Sequence, residues 1–143
     1  MNYEDYHIHP INKFIHFICI PIIVLTTCNI LSNFRIKTRF TILRMEEVIT
    51  CAMLCNYLIS YGYKSYLIMC IYFFAVHTLS FIWRRDKNCM KESFILFVFA
   101  WMAQFAGHAI EGNRPALMTS ITQAFSEAPL FSINYMLPFN LTT

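Results

Sequence analysis

Histidine and glutamate side chains near the two ends of this sequence could bind a metal ion together. Towards the C-terminal end, His108 and Glu111 are three residues apart and follow an apolar run that begins at Trp101. Side chains three or four residues apart share one face of a helix, so both could contact the same cation. Ionisable groups beside an apolar segment lose hydration, and a bound metal ion could offset that cost. The alternative is a helix that ends at the membrane surface, where both side chains meet water and headgroups.

Three more histidines lie among the first sixteen residues. They are His7, His9 and His16, and Asn12 is four residues before the last of them, on the same helix face. Several imidazoles with a carboxylate and no nearby thiolate are typical of sites for Fe(II), Zn(II) or Mn(II). Apolar surroundings with an open position favour non-haem iron and O2 chemistry, with zinc hydrolysis as the alternative. A further alternative is a set of histidines at headgroup depth with no metal.

Four apolar segments must position these side chains. Each is close to the roughly 20 residues that a helix needs to cross a bilayer. The segments are residues 11–32, 46–63, 65–83 and 93–111. They predict an all-α, polytopic membrane protein with a single membrane domain over residues 1–143, and Gly62 and Lys64 predict a tight hairpin between the second and third segments. Four crossings return the chain to its starting side, so both ends of the chain, with their histidines, would meet at one membrane face.

The composition supports a membrane protein. Hydrophobic residues make up 57% of the 143 residues and charged residues only 13%, which is not typical of a soluble domain. Basic residues cluster in residues 35–44 and 84–91, both on one predicted side, which the positive-inside rule makes cytosolic. No basic footprint for nucleic acid is present, so we expect no such partner. The tail, residues 116–143, is predicted to be an amphipathic segment in the membrane interface, interrupted at Pro129.

One histidine lies apart from the others. His77 is in the middle of the third apolar segment, with no second histidine or carboxylate in that segment. Polar groups inside a membrane are costly unless they are paired. We therefore expect His77 to be a core histidine that is hydrogen-bonded to a neighbour rather than a metal ligand.

Two blocks at the ends of the chain resemble a known enzyme family. The sequence YHIHPINKFIH, residues 6–16, resembles the Y-H-x-x-P-x-N-x-x-I-H opening of the endoplasmic-reticulum 2-hydroxy fatty acid dioxygenases. The sequence WMAQFAGHAIEGNRPAL, residues 101–117, followed by QAF and APLF, is similar to the W-x-x-Q-F-x-G-H, R-P-A-L and A-P-x-F signatures of that family. The blocks match in order and spacing, while the middle of the chain matches only as hydrophobic helices.

The resemblance implies a multi-pass enzyme of the endoplasmic reticulum membrane that uses Fe(II). Its substrates would be a 2-hydroxy fatty acid and O2, and its products the fatty acid one carbon shorter and CO2, within phytosphingosine and sphingolipid breakdown. The resemblance also implies histidine ligands, because His7, His16 and His108 match the motif positions, with His9 a less favoured candidate. Glu111 would be a fourth ligand or would orient a ligating histidine.

Other polar residues complete the site that the resemblance implies. Asn12 matches the family's asparagine, and with Gln104 it is expected to support the metal ligands. Arg114 is expected to pair with the substrate carboxylate in a bidentate fork, or alternatively to face a lipid phosphate. The acyl chain is expected to run between the first and fourth apolar segments, beside Phe14, Phe17, Phe105 and Ala109.

Two other functions stay open, and the first rests on a departure from the family pattern. Relatives usually have three residues between the motif histidine and glutamate, whereas this chain has two, Ala109 and Ile110. A relative without activity could serve as a membrane scaffold or lipid-binding protein, and its metal content would distinguish it from the enzyme. A zinc-dependent lipid hydrolase could use the same side chains, and it would not consume O2.

Overall fold

The computed structural model describes residues 9–112 and 121–135, the side chains of residues 121–126 excepted. These residues form the elements α1 (Pro10–Leu31), β1 (Arg35–Lys37), β2 (Ile42–Arg44), α2 (Met45–Trp83), α3 (Cys89–Glu111) and α4 (Ile121–Asn134). Within this part of the chain, α1, α2 and α3 are long and apolar enough to cross a membrane. The predicted class, an all-α polytopic membrane protein, is confirmed.

Helix α2 consists of two arms joined at Gly62. As one straight helix, its 39 residues would extend about 58 Å, at about 1.5 Å per residue. Gly62 instead has φ 79° and ψ −178°, a conformation that favours glycine because a side chain would be strained there. The two arms account for the second and third predicted apolar segments.

Contacts between the ends of α2 show that the chain reverses direction. The Arg84 guanidinium, just beyond the second arm, lies 2.9 Å from the Glu46 carboxylate at the start of the first arm. One turn after Glu46 and two turns before Arg84, Thr50 Oγ1 and His77 Nε2 are 2.9 Å apart. The predicted hairpin and the predicted hydrogen bond of His77 are therefore both confirmed.

Close contacts divide the chain into two units, one of which comprises residues 24–97. In this unit Asn29 of α1 joins three helical segments. Its amide donates to Ser93 Oγ of α3 at 2.9 Å, and its Oδ1 accepts from Ser80 Oγ of the second α2 arm at 2.6 Å. All three side chains are buried. In a bilayer, apolar helix surfaces gain little by leaving lipid that is equally apolar. Small residues and interhelical hydrogen bonds therefore specify which helices pack together.

The other unit comprises residues 1–23 and 98–143. It contains the N-terminal part of α1, the C-terminal part of α3, and α4. The hydroxyl of Ser132 on α4 donates to the Phe17 carbonyl of α1 at 3.3 Å, and the rings of Phe17 and Tyr135 are 5.4 Å apart. Helix α4 therefore packs on α1 beside the candidate site.

The C-terminal tail differs from the prediction at its proline. The predicted interruption at Pro129 is wrong, because this residue lies inside α4. Residues 130–133 are buried, so packing stabilises the helix beyond the proline. Membrane helices tolerate proline where neighbouring groups can satisfy the freed carbonyl, and Pro21 lies inside α1 in the same way.

The basic stretch between α1 and α2 forms a short antiparallel hairpin, β1–β2. Its ladder pairs Arg35 with Arg44 and Lys37 with Ile42. Helix α2 follows at once, and Glu47 in its first turn accepts a hydrogen bond from the Arg44 backbone N–H at 3.0 Å. This contact explains the sharp entry into α2, because the first N–H groups of a helix lack partners within the helix.

Candidate active site

Two buried histidines, His16 of α1 and His108 of α3, lie side by side. Their ring centroids are 4.8 Å apart and their planes make an angle of 82°, with only 1% and 4% of the two residues exposed. Two imidazoles that bind one ion at about 2.1 Å, at bond angles of about 90–110°, have centroids roughly 4.6–5.3 Å apart. The observed separation is compatible with a shared metal ion.

The tautomer of His16 is set by the backbone of α1. Its Nδ1 lies 3.0 Å from the carbonyl oxygen of Asn12. A carbonyl can only accept, so Nδ1 carries the proton and Nε2 carries the lone pair. Metal-binding histidines commonly donate their other N–H to a carbonyl in this way, which orients the ring. The arrangement suits His16 as a ligand through Nε2.

Glu111, at the end of α3, joins that helix to the start of α1. Its Oε1 accepts the backbone N–H of His9 at 2.9 Å, and its Oε2 accepts a hydrogen bond from the Asn12 side-chain amide. Both carboxylate oxygens are thus engaged by donors from the beginning of α1. Hydrogen bonds to a carboxylate are stronger than those between neutral groups, so Glu111 holds the turn that carries Asn12 against α3.

Gly107 gives Asn12 room against α3. A Cβ at position 107 would clash with Asn12 Oδ1 and would lie 3.3 Å from its Cγ. Glycine within a helix costs about 0.5–1 kcal/mol relative to alanine, and this close approach explains why glycine stands here. Sequence reasoning assigned no role to Gly107, although a glycine inside an apolar helix is itself a signal of close packing.

His9 acts as a cap for α1. Its Nδ1 accepts a hydrogen bond from the Ile11 backbone N–H at 3.2 Å, which places the proton of the neutral ring on Nε2. Neither ring nitrogen then has a lone pair for a metal ion. The geometry favours capping over metal binding for His9, the less favoured ligand in the sequence analysis.

Two buried amide atoms beside the histidines have no hydrogen-bond partner in the described part of the chain. They are Asn12 Oδ1 and Gln104 Nε2, on residues one turn before His16 and His108 respectively. Leaving such an atom unpaired costs about 1–3 kcal/mol. One acceptor and one donor are therefore suited to contact a polar ligand. The sequence spacing identified both residues but not this complementary pair of atoms.

Part of the predicted site lies outside the described residues. This applies to His7 and Arg114, whose roles stay predictions. Within residues 9–112 and 121–135, no group of three or more His, Cys, Asp or Glu side chains could hold a metal ion. The described structure thus contributes two adjacent histidines, while the predicted third, His7, is untested.

Two of the phenylalanines on the predicted acyl path are exposed. Phe14 is 55% exposed and Phe105 is 42% exposed, so both face outward from the packed helices. The acyl path between the first and fourth apolar segments stays a prediction.

Comparisons with known proteins cover nearly the whole chain. A family model described as 2-hydroxy-palmitic acid dioxygenase Mpo1-like matches residues 1–139. The chain is also similar to 2-hydroxy-palmitic acid dioxygenase MPO1 of Saccharomyces cerevisiae, with 27% identity over 130 residues that cover 90% of this chain and 72% of that protein. No solved structure gives a significant match. The family match includes every residue of the predicted site.

Proposed function

Because the chain belongs to the 2-hydroxy-palmitic acid dioxygenase Mpo1-like family, we propose that it is an Fe(II)-dependent dioxygenase of 2-hydroxy fatty acids. The observation that carries this proposal is the buried pair of His16 and His108, whose ring centroids are 4.8 Å apart. Neutral imidazoles in apolar surroundings suit Fe(II) and O2 chemistry. The three long apolar helices support a membrane setting for the proposed enzyme, in which a fatty acid and O2 would dissolve.

The proposed reaction balances without an external reductant. A 2-hydroxy acid and O2 give the fatty acid one carbon shorter, CO2 and water. The bond between C1 and C2 breaks, C2 becomes a carboxyl carbon, and the substrate supplies the four electrons that reduce O2. The protein therefore has to hold one organic substrate and O2 together. The iron, when bound, would supply the redox chemistry that activates O2.

The proposed metal-binding residues come from both ends of the chain. His16 and His108 would hold the iron, with His7 as the proposed third ligand. The hydrogen bond from His16 Nδ1 to the Asn12 carbonyl supports binding through Nε2. Glu111 would be a positioning residue, since both of its oxygens accept hydrogen bonds from the start of α1.

Two buried amides would receive the polar end of the substrate. Asn12 Oδ1 can accept a hydrogen bond from the 2-hydroxyl group, and Gln104 Nε2 can donate one to a carboxylate or hydroxyl oxygen. Arg114 remains the proposed partner of the substrate carboxylate. A site with buried polar groups discriminates strongly against a ligand that leaves them unpaired. Asn12 and Gln104 would therefore favour 2-hydroxy acids over unsubstituted fatty acids.

We propose the endoplasmic reticulum membrane and phytosphingosine breakdown as the setting. The apolar helices support a membrane location. The compartment and the pathway rest on the resemblance of the two terminal motifs, residues 6–16 and 101–117.

The test is to purify the whole protein anaerobically in detergent, measure bound iron and zinc, and then add 2-hydroxypalmitic acid with O2. We expect stoichiometric iron, with pentadecanoic acid and CO2 as products. The variants His16→Ala and His108→Ala should lose iron, whereas the matched control His77→Gln, at a histidine bonded to Thr50, should retain it. Folded protein without iron or activity would refute the proposal. Bound zinc without O2 consumption would favour a hydrolase.

A further inference from the structure

The β1–β2 hairpin gathers the basic side chains of its two strands on one side. Its register pairs Arg35 with Arg44 and Ile36 with Leu43. Residues opposite each other in an antiparallel ladder project to the same side, and successive residues project to opposite sides. Lys37 pairs with Ile42, so Arg35, Arg44 and Lys37 share one side of the hairpin with Ile42, while Ile36 and Leu43 share the other.

The connections of the hairpin place it at the membrane surface. Helix α1 ends at Leu31 and helix α2 begins at Met45, and both helices are apolar enough to cross a membrane. The hairpin starts four residues after α1 and directly adjoins α2. Four residues reach at most about 14 Å, which keeps the hairpin within or next to the headgroup layer.

The exposed apolar residues of the hairpin are unusual for a surface in water. Phe40 at its tip is 91% exposed, and Phe34 and Ile42 are 58% and 57% exposed. A two-stranded hairpin without a core is at best marginally stable in water, and the strands here have only three residues each. Aromatic and basic side chains together are typical of the boundary between headgroups and acyl chains.

Three basic side chains of the β1–β2 hairpin have no carboxylate partner in the described part of the chain. They are Arg35, Lys37 and Arg39. Arg35 also lies directly opposite Arg44 in the ladder, and like charges in that position repel. A phosphate group near these two guanidinium groups would replace repulsion with charge-assisted hydrogen bonds.

The Glu46 carboxylate lies close to both basic segments, because it contacts Arg84 and is near Arg44 at the end of the hairpin. Its Oε1 lies 2.9 Å from Arg84 Nη1 and 3.8 Å from Arg44 Nη1. Residues 35–47 and 84–92 together contain eight of the eleven Lys and Arg residues of the chain and four of its eight Asp and Glu residues. The excess of positive charge at this membrane face is a feature that attracts an anionic leaflet.

We propose that this basic face, residues 35–44 and 84–91, binds the headgroups of anionic phospholipids. The lipid phosphates contact the basic side of the β1–β2 hairpin, and Phe40 inserts at the boundary with the acyl chains. This interaction is separate from the histidine site and does not depend on catalysis. It holds the β1–β2 hairpin in place and fixes the depth of α1 and α2 in the bilayer.

The test is lipid retention by the full chain in native mass spectrometry, with equal amounts of phosphatidylserine and phosphatidylcholine added in detergent at low salt. We expect the wild type to retain phosphatidylserine preferentially. The double variant Arg35→Gln with Lys37→Gln should lower this preference roughly 25-fold, at roughly fivefold for each removed charge. The matched control, Lys13→Gln with Lys64→Gln, removes two charges outside the basic face and should leave the preference unchanged.

Three results would overturn the proposal. They are equal retention of the two lipids by the wild type, equal losses in the two double variants, and a preference unaffected by added salt, which should screen these exposed charges. The first result would instead favour an acidic protein partner for the basic face. Phe40→Ser should weaken retention of both lipids alike, because it removes insertion but no charge. A loss confined to phosphatidylserine in that variant would contradict the role given to Phe40.

Discussion

Replacing Gly107 by alanine should destabilise the protein although it introduces a better helix-forming residue. The added Cβ would clash with Oδ1 of Asn12 and lie 3.3 Å from its Cγ. Asn12 is fully buried and its amide donates to Glu111, so its side chain cannot move without losing that hydrogen bond. We expect a lower thermal midpoint in detergent and weaker iron retention.

The expected change in the free energy of unfolding is the sum of one stabilising and two destabilising contributions. Alanine should stabilise the helix by about 0.5–1 kcal/mol relative to glycine. Overpacking a well-packed site costs about 1–3 kcal/mol. Loss of the hydrogen bond to the Glu111 carboxylate adds about 1.5–3 kcal/mol where the side chain is displaced. The net destabilisation of Gly107→Ala should therefore be about 2–5 kcal/mol.

A double-mutant cycle with Asn12→Ala isolates the clash. In the Asn12→Ala background both Asn12 atoms that the new Cβ meets are absent, and Ile15 Cδ1 remains at 3.4 Å, close to an ordinary van der Waals contact. Gly107→Ala should then become neutral or stabilising by up to about 1 kcal/mol. Unfolding free energies of the four proteins, measured by denaturant titration in mixed micelles, give the coupling directly. If Gly107→Ala has the same effect in both backgrounds, the close approach of Asn12 to α3 is refuted.

Three further predictions concern other contacts. Glu111→Gln keeps one acceptor oxygen and should lower iron affinity roughly 10–100-fold, as removal of a residue that supports metal ligands does. Metal titration checks this, and a loss as complete as in His108→Ala would make Glu111 a ligand. Gln104→Leu should keep iron but raise KM for 2-hydroxypalmitic acid about tenfold or more, measured by steady-state kinetics, and unchanged kinetics would exclude a substrate contact. Glu46→Gln should destabilise the α2 hairpin by a few kcal/mol, because it leaves Arg84 without its carboxylate. Thermal unfolding measures this, and a neutral result would show that water or Glu47 compensates.

The sequence predicted those features of the site that depend on local pattern and on topology. Residues His16 and His108 could be placed at one membrane face because four apolar segments return the chain to its starting side. The turn at Gly62 could be placed because a glycine interrupts a long apolar stretch. Both predictions depend on the pattern of apolar residues along the sequence, which is local information, and on the number of membrane crossings.

The hydrogen bonds that assemble the site could not be predicted in the same way. Glu111 accepts from Asn12 across 99 residues and from His9 across 102, and which helix faces meet depends on packing between distant segments. The break expected at Pro129 failed for a related reason. Local propensity disfavours proline in a helix, but burial of residues 130–133 stabilises the helix that follows it.

The long separation between the two halves of the site has a consequence for biosynthesis. Asn12 and Glu111 are 99 residues apart, and a ribosome needs about 5–20 seconds to add that many residues. During that interval α1 can enter the membrane while the side chains of Asn12 and His16 still lack their counterparts on α3. With the proposed ligands, iron would be captured by both histidines only after α3 has been made and inserted. Metal loading is expected to be one of the last steps in the maturation of the protein, and a nascent chain arrested before α3 should carry no iron.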